Sequence, residues 1–307
     1  MDLPINLDIE AIKKLIEVVS SGIGTLYRPR QIRKEADAEA YAIKVIEKAK
    51  AEAAAEKRMI EIETDEQIAR RLVAKENRRQ ENIDCIVEKA AQNLLEEGAI
   101  SDKPVDVDWA TRFFDIVQDV STEQMKSVWA KILAKEIVRP SSFSLRTLDV
   151  LRNISYEEAE LFTVISPLVF VQDQISFIFN DKKKFGLIYY NLTKLKEAGL
   201  LQSGDGASYT IIASKQVSQV TFRSVCGNKY IELTTDPNTK DIVVPIFLLT
   251  QAGRELYELT DHKDNMVYLR DFVAFVKKAN PTASIKYGDI LERKGYQTKF
   301  KLPLIEL

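Results

Sequence analysis

The sequence predicts a mainly α-helical protein with an α+β part at its C-terminal end. Residues 30–97 contain neither Gly nor Pro and are rich in Ala, Glu, Lys and Arg, which favour helix. Later segments change first to short helices with large apolar residues and then to strand-like runs separated by turns. We therefore expect a long N-terminal helical or coiled-coil arm over 1–98, a helical bundle over 99–171 and a winged-helix-like domain over 172–307.

Composition narrows the classes of function. A chain of 307 residues is longer than most single domains, and its net charge of −2 provides no global attraction to nucleic acid or anionic membranes. Cys85 and Cys226 lie far apart in sequence and lack metal-ligand spacing, which gives little support to a zinc site or a disulfide framework and fits a reducing compartment better. No signal-peptide pattern and no apolar run of about eighteen residues is present. These features predict a cytoplasmic protein.

The first predicted helix carries one apolar seam. Its apolar residues follow a 3-4-3-4 spacing: Ile9, Ile12, Ile16, Val19, Ile23 and Leu26. One interpretation is packing on a neighbouring helix or on the same helix of a second chain, which predicts a homo-oligomer. The alternative is an interfacial helix that makes peripheral membrane contact. That alternative is weaker because Glu10 and Glu17 share the polar face with lysines.

The predicted arm is rich in alanine and charge. The segment EADAEAYAIKVIEKAKAEAAAEKR has too few large apolar residues for a thick core, so it indicates a coiled coil or a helical hairpin. T-D-E-Q at Thr64 reads as a capping box and predicts a break between two helices. A broader apolar stripe then predicts docking onto the next region, through Ile83, Ile86, Val87, Ala90 and Leu94.

The bundle region shows helical spacing of large side chains. Trp109, Phe113 and Val117 share one face, and Trp129 continues the pattern in a second helix. At these spacings the tryptophans indicate core packing rather than a ligand pocket. Capping boxes predict helix starts at Ser121 and Ser155.

The C-terminal region has the order of elements of a winged helix. A helix from Phe185 ends at Gly199, which occupies a C′ position, and the strand runs SYTIIA, QVTFRSV, YIELTT and IVVPIFLLT follow. TQAGRELYEL and a helix over 267–278 are expected to close the domain. This order predicts a winged-helix-like unit.

Catalytic chemistry has little support in the sequence. His262 is the only histidine and stands in a polar loop without an adjacent nucleophile, and carboxylates fall mainly on solvated helix faces. Neither a P-loop nor a dinucleotide-binding glycine motif is present. We therefore predict a non-enzymatic protein with no catalytic, cofactor-binding or metal-binding residues.

A local basic cluster surrounds the helix that precedes the predicted wing. Its members are Lys182, Lys183, Lys184, Lys194 and Lys196. They could contact phosphates of a nucleic acid, or they could form the solvated face of a protein-binding module. The neutral overall charge favours a protein partner.

Several strings together resemble a known family. They are GIGTLYRPRQIRKEADAEA, RRQENID, DWATRFFDIVQDVSTEQMKSVWAKILAKEIVRPSSFSLRTLDVL and KLKEAGLL. Their order is similar to an uncharacterised bacterial family, known as a domain of unknown function and found among mobile-element and phage-defence genes. The resemblance implies a bacterial origin and an antiviral or abortive-infection role, and it implies no catalytic residues. We expect an oligomeric scaffold or sensor that binds a protein or nucleic acid through its C-terminal domain, or alternatively a membrane-acting effector using the N-terminal helix.

Overall fold

The chain divides into two units, Met1–Leu148 and Asp149–Leu307, here called the N-terminal and C-terminal units. The computed structural model describes residues 9–27, 59–95, 100–172, 175–180, 184–202, 207–216, 219–237, 239–294 and 297–307. Helices come first and a mixed α/β part follows, which confirms the predicted fold class at this level. The division into three regions, the coiled coil and the winged helix stay predictions.

The N-terminal unit consists of helices in its described part. They are α1 (Ile9–Ile23), α2 (Met59–Leu94), α3 (Val107–Val117), α4 (Glu123–Val138) and the start of α5 (Leu145–Asn153). Helix α1 packs on α3, and α2 packs on α4. The break predicted at Thr64 is wrong, because α2 continues through it. Flanking helix formers on both sides outweigh the local capping preference.

Glycine brings α1 and α3 into close approach. A Cβ atom at Gly22 would lie 2.2 Å from the ring of Phe114 and 2.7 Å from the carbonyl oxygen of Ala110. Any larger residue would therefore push the helices apart. The side of α1 that is buried comprises Ala11, Leu15, Val18, Val19 and Gly22.

An aromatic cluster forms the core of the N-terminal unit. The rings of Trp109 and Phe113 stack with centroids 5.0 Å apart, and Trp129 meets Phe113 edge-on at 5.5 Å. Trp129 is 1% exposed. Both tryptophans thus pack in the core, as their spacing predicts.

Polar contacts join α2 to the turn between α3 and α4. The Asn82 side chain donates to the carbonyl oxygen of Gln118 at 2.9 Å. The Arg79 guanidinium binds both carboxylate oxygens of Asp119, at 2.9 and 3.0 Å. The predicted docking stripe of α2 is buried in full, at Ile83, Ile86, Val87, Ala90 and Leu94.

The C-terminal unit is built on an antiparallel sheet. The strands are β1 (Val169–Gln172), β2 (Ile175–Phe179), β3 (Ser208–Ile211), β4 (Val220–Cys226), β5 (Lys229–Thr234), β6 (Ile242–Leu248), β7 (Ser284–Lys294), β8 (Gln297–Phe300) and β9 (Ile305–Glu306). Their order in the sheet is β3-β6-β2-β1-β4-β5-β7-β8, with β9 also paired to β7. The helices are α6 (Tyr156–Ile165), α7 (Tyr189–Glu197), α8 (Gln251–Tyr257) and α9 (Met266–Ala279), with a short 3-10 turn at Ser166–Leu168.

Two expectations about this unit are wrong. Helix α9 does not close the domain, because β7 follows it and pairs with β5 along six residue pairs. The helix expected from Phe185 begins only at Tyr189, since Phe185 adopts a positive φ of 58° in the preceding turn.

Local capping follows the sequence at Ser155 and at Gly199. Ser155 and Glu158 form a reciprocal capping box at the start of α6. Gly199 adopts φ +73°, and the N–H of Leu200 bonds to the carbonyl of Leu195 at 2.9 Å, as in a Schellman motif. The capping box predicted at Ser121 is wrong, because Thr122 is the N-cap residue of α4 and makes no side-chain capping bond.

Aromatic rings connect the sheet with α9. The ring centroid of Phe170 on β1 lies 4.8 Å from that of Phe272 and 5.5 Å from that of Phe177. The buried Tyr268 hydroxyl donates to the carbonyl oxygen of Phe179 at 2.9 Å. This core fixes α9 against the central strands.

Candidate functional site

The described lysines of the basic cluster are engaged within the C-terminal unit. Lys184 pairs with Asp271 at 2.8 Å, and Lys194 pairs with Glu157 of α6 at 2.6 Å. The Lys196 ammonium lies 5.6 Å from the ring centroid of Phe247. Lys182 and Lys183 lie outside the described residues.

The ion pair between Glu157 of α6 and Lys194 of α7 also shifts the pKa values of both residues. The hydrogen bond from Lys194 lowers the pKa of Glu157, and the same bond raises the pKa of Lys194. Both groups therefore stay charged at neutral pH. A phosphate that approached Lys194 would have to compete with this carboxylate.

The first turn of α7 instead exposes apolar and aromatic side chains. Ile188, Tyr189 and Tyr190, here called the aromatic turn, are 47%, 75% and 63% exposed. Lys194 lies 5.4 Å from the ring centroid of Tyr190, which places that ring beside the ion pair with α6. Tyr156, in the first turn of α6, is also exposed.

Tyr189 and Tyr190 fall within the helix that the sequence predicts before Gly199. The signal for a separate surface was their position, because Leu192 and Leu195 supply the buried face of α7. Tyr190 stands two and five residues before these leucines and lies off their face, whereas Tyr189, three residues before Leu192, is left exposed in the first turn of the helix.

The predicted seam of α1 is partly used inside the N-terminal unit. Val19 is fully buried, whereas Ile12, Ile16 and Ile23 are half-buried and Leu26 is 69% exposed. The Ile9 side chain lies outside the described set. None of the helices that the structure describes is long and apolar enough to cross a membrane.

An exposed pair of apolar side chains lies on α2. Ile68 and Leu72 are separated by one helical turn and are 42% and 54% exposed. They precede the buried stripe that begins at Ile83. This part of α2 presents apolar side chains that the described helices do not cover.

The two cysteines and the histidine of the chain are packed within the fold. Burial raises the pKa of the thiols of Cys85 and Cys226. The ring centroids of His262 and Tyr257 lie 4.6 Å apart, and His262 lines a cavity of about 430 Å³. Within the described ranges, no group of three or more His, Cys, Asp or Glu side chains could hold a metal ion.

The string DWATRFFDIVQDVSTEQMKSVWAKILAKEIVRPSSFSLRTLDVL contains a buried carboxyl group. Glu136 is 1% exposed, and its two oxygens accept the backbone N–H groups of Ser141 at 2.6 Å and of Phe143 at 3.0 Å. Ser141 has a φ of 71° in the turn that follows α4. This string therefore encodes a loop anchor.

A family model described as "Protein of unknown function (DUF2806)" matches residues 66–273. The chain belongs to this family. No curated protein and no solved structure matches the chain. The range matched by the DUF2806 model contains Glu136 and the aromatic turn, and it ends before β7.

Proposed function

We propose that this DUF2806 protein is a non-enzymatic scaffold or sensor that binds a protein partner through the aromatic turn of α7. One observation carries the proposal: Tyr189 and Tyr190 are exposed while Lys184 and Lys194 are held by carboxylates. Tyrosine is enriched at the energetically important positions of protein interfaces.

The topology around α7 supports a winged-helix-like interpretation. Strands β2, β6 and β3 are neighbours in the sheet, and α7 lies between β2 and β3 in sequence. Strands β4 and β5 are then an insertion between β3 and β6. In this interpretation α7 takes the place of the recognition helix.

Electrostatics favour a protein over a nucleic acid at this helix. Duplex binding depends on cations that neutralise phosphates and release counterions. Lys194 would have to give up its bond with Glu157, and Lys184 its bond with Asp271. The overall charge of −2 adds no compensating attraction.

We further propose that the protein assembles into a homo-oligomer through α2. The exposed Ile68 and Leu72 support this, since an apolar pair on a helix gains by packing against another copy. In the antiviral role that the resemblance implies, an assembly would present several aromatic turns to one partner. The membrane-effector alternative has less support, because α1 buries Leu15 and Val18 within its own unit.

A nucleic-acid titration tests the main proposal. The full-length protein is titrated into fluorescein-labelled duplex DNA and single-stranded RNA, and anisotropy is measured at several salt concentrations. We expect no saturable binding at physiological salt, and no difference between the parent and Lys184→Gln or Lys194→Gln. Tight binding that falls steeply with salt and weakens in both variants would contradict the proposal.

Light scattering after size-exclusion chromatography tests the assembly. Ile68→Ser combined with Leu72→Ser should lower the molar mass, whereas Ala74→Ser, at another exposed position of α2, should not. A monomeric parent at micromolar concentration would contradict this part of the proposal.

A further inference from the structure

A second cavity of the C-terminal unit lies between α9, β7 and the chain after β8. It measures about 470 Å³ and is here called the tail cavity. Its lining includes Met266, Arg270, Tyr287, Lys301, Leu302 and Ile305. None of these residues belongs to the aromatic turn, so the tail cavity is a separate feature.

The close approach of the chain to β7 creates one wall. The N–H of Lys301 donates to the carbonyl oxygen of Asp289 at 2.8 Å. A Cβ atom at Gly288 would lie 2.7 Å from the carbonyl oxygen of Lys301 and 2.8 Å from the Leu304 side chain. Glycine at this position therefore lets residues 301–305 lie across the strand.

The lining carries a surplus of positive charge. It contains the cations Lys229, Arg270 and Lys301 but only one carboxylate, Asp289. Lys229 bonds to Asp289 and also pairs with Asp264 at 3.1 Å, so the nearby carboxylates are already occupied. The Lys229 side chain is only 14% exposed, and desolvation opposes its charged form, but its hydrogen bonds to Asp289 and Asp264 raise its pKa above the ordinary value.

Arg270 and Lys301 provide the remaining positive charge. Both side chains belong to exposed residues, and neither makes a salt bridge within the part of the chain that the structure describes. The charge of Lys301 adds to the hydrogen bond from Lys229 in lowering the pKa of Asp289. Because the whole protein carries a net charge of −2, this local surplus is a specific feature of the cavity.

Apolar side chains stand beside these cations. Leu302 and Ile305 are 70% and 58% exposed, although they line a concave surface. Met266 and the ring of Tyr287 complete this side of the cavity. Ligand sites commonly combine such an apolar lining with a few charged groups that fix orientation.

We infer that the tail cavity binds a small amphiphilic anion, a carboxylate or phosphate attached to a ring or short apolar group. The anionic group bonds to Arg270 and Lys301, and the apolar group packs against Leu302, Ile305 and Tyr287. Arginine binds planar carboxylates and phosphates in a bidentate manner, which suits it to this role.

Titrations of the full-length protein with phenyl phosphate and with benzoate test the inference, with saturation-transfer NMR of the ring protons as readout. Arg270→Gln and Lys301→Gln should each weaken binding about tenfold or more, since each removes a charged hydrogen bond. Lys278→Gln, an exposed position of α9 that does not line the cavity, is the matched control and should bind like the parent.

The apolar half of the site has its own test. Leu302→Ser should weaken the binding of phenyl phosphate but leave the affinity for inorganic phosphate unchanged. The affinity for inorganic phosphate is measured by its competition with phenyl phosphate. No saturable binding of either aromatic anion, or an equal loss in Lys278→Gln, would overturn the inference. Tyr189→Ser should leave the titration unchanged, so this result is independent of the proposed protein-binding surface.

Discussion

The loop anchored by Glu136 offers a direct test of how the N-terminal unit is held together. Its carboxyl group is buried and accepts backbone N–H groups from Ser141 and Phe143. Glu136→Ala removes both acceptors. The turn that follows α4 then loses its attachment to the helix.

The expected loss in the free energy of unfolding follows from the two hydrogen bonds. Bonds to a charged group contribute about 1.5–3 kcal/mol each. The N–H of Phe143 is buried and would be left unpaired, whereas Ser141 is exposed and its N–H can bond to water instead. We therefore expect Glu136→Ala to lower the free energy of unfolding by about 3 kcal/mol. Glu136→Gln should cost about 2 kcal/mol, because its amide NH₂ would face one of the backbone donors.

Urea denaturation followed by tryptophan fluorescence measures this effect. Trp109 and Trp129 are the two tryptophans of the chain, and both lie in the N-terminal unit. Glu123→Gln changes the other glutamate of α4, which is exposed, and solvent screening should make its effect far smaller. A free energy of unfolding for Glu136→Ala within about 1 kcal/mol of the parent would refute the anchoring role.

Three further outcomes are expected. Trp129→Ala should lower the free energy of unfolding by about 3–5 kcal/mol in urea denaturation, because it deletes a fully buried aromatic; an unchanged midpoint would contradict this. The hydrogen bond from Arg79 lowers the pKa of Asp119 below its ordinary 3.8, so this carboxylate stabilises the fold above that pH and loses its effect on further acidification. The stability difference between the parent and Asp119→Asn should therefore shrink as pH falls below 3.8, and a constant difference in acid titrations would argue against it. Because burial raises the pKa of both thiols, a disulfide reagent at neutral pH should label the half-exposed Cys85 slowly and the buried Cys226 only after unfolding; rapid labelling of Cys226 would contradict its burial.

Local signals explain the parts of the fold that the sequence predicted well. The capping box at Ser155, the positive φ at Gly199 and the buried stripe from Ile83 each depend on residues within a few positions of one another. Such features are set by backbone geometry and helical periodicity. Their prediction needs no knowledge of distant contacts.

Long-range pairing explains what the sequence did not predict. Strand β7 joins the sheet by pairing with β5, across the intervening strand β6 and helices α8 and α9. The lysine cluster was recognised as a charge pattern, but the pairing of Lys194 with Glu157 and of Lys184 with Asp271 depends on α6 and α9. A count of charges along the sequence does not show which carboxylate lies beside which lysine.

The tail cavity was missed for the same reason. Arg270 and Lys301 stand far apart in sequence, and only the close approach at Gly288 brings the terminal chain over β7. A glycine inside a strand can signal such an approach. That signal alone would not have identified which segment crosses the strand.

Site-specific photocrosslinking at the aromatic turn tests the central claim most directly. A benzophenone amino acid replaces Tyr189 in the full-length protein, expressed in cells of its native host and irradiated there. The control places the same group at Ile212, which is 67% exposed outside α7. We predict an adduct at position 189 that protease digests and nuclease does not, absent at position 212. A nuclease-sensitive adduct at position 189, or no adduct beyond the control, would contradict a protein-binding role for α7.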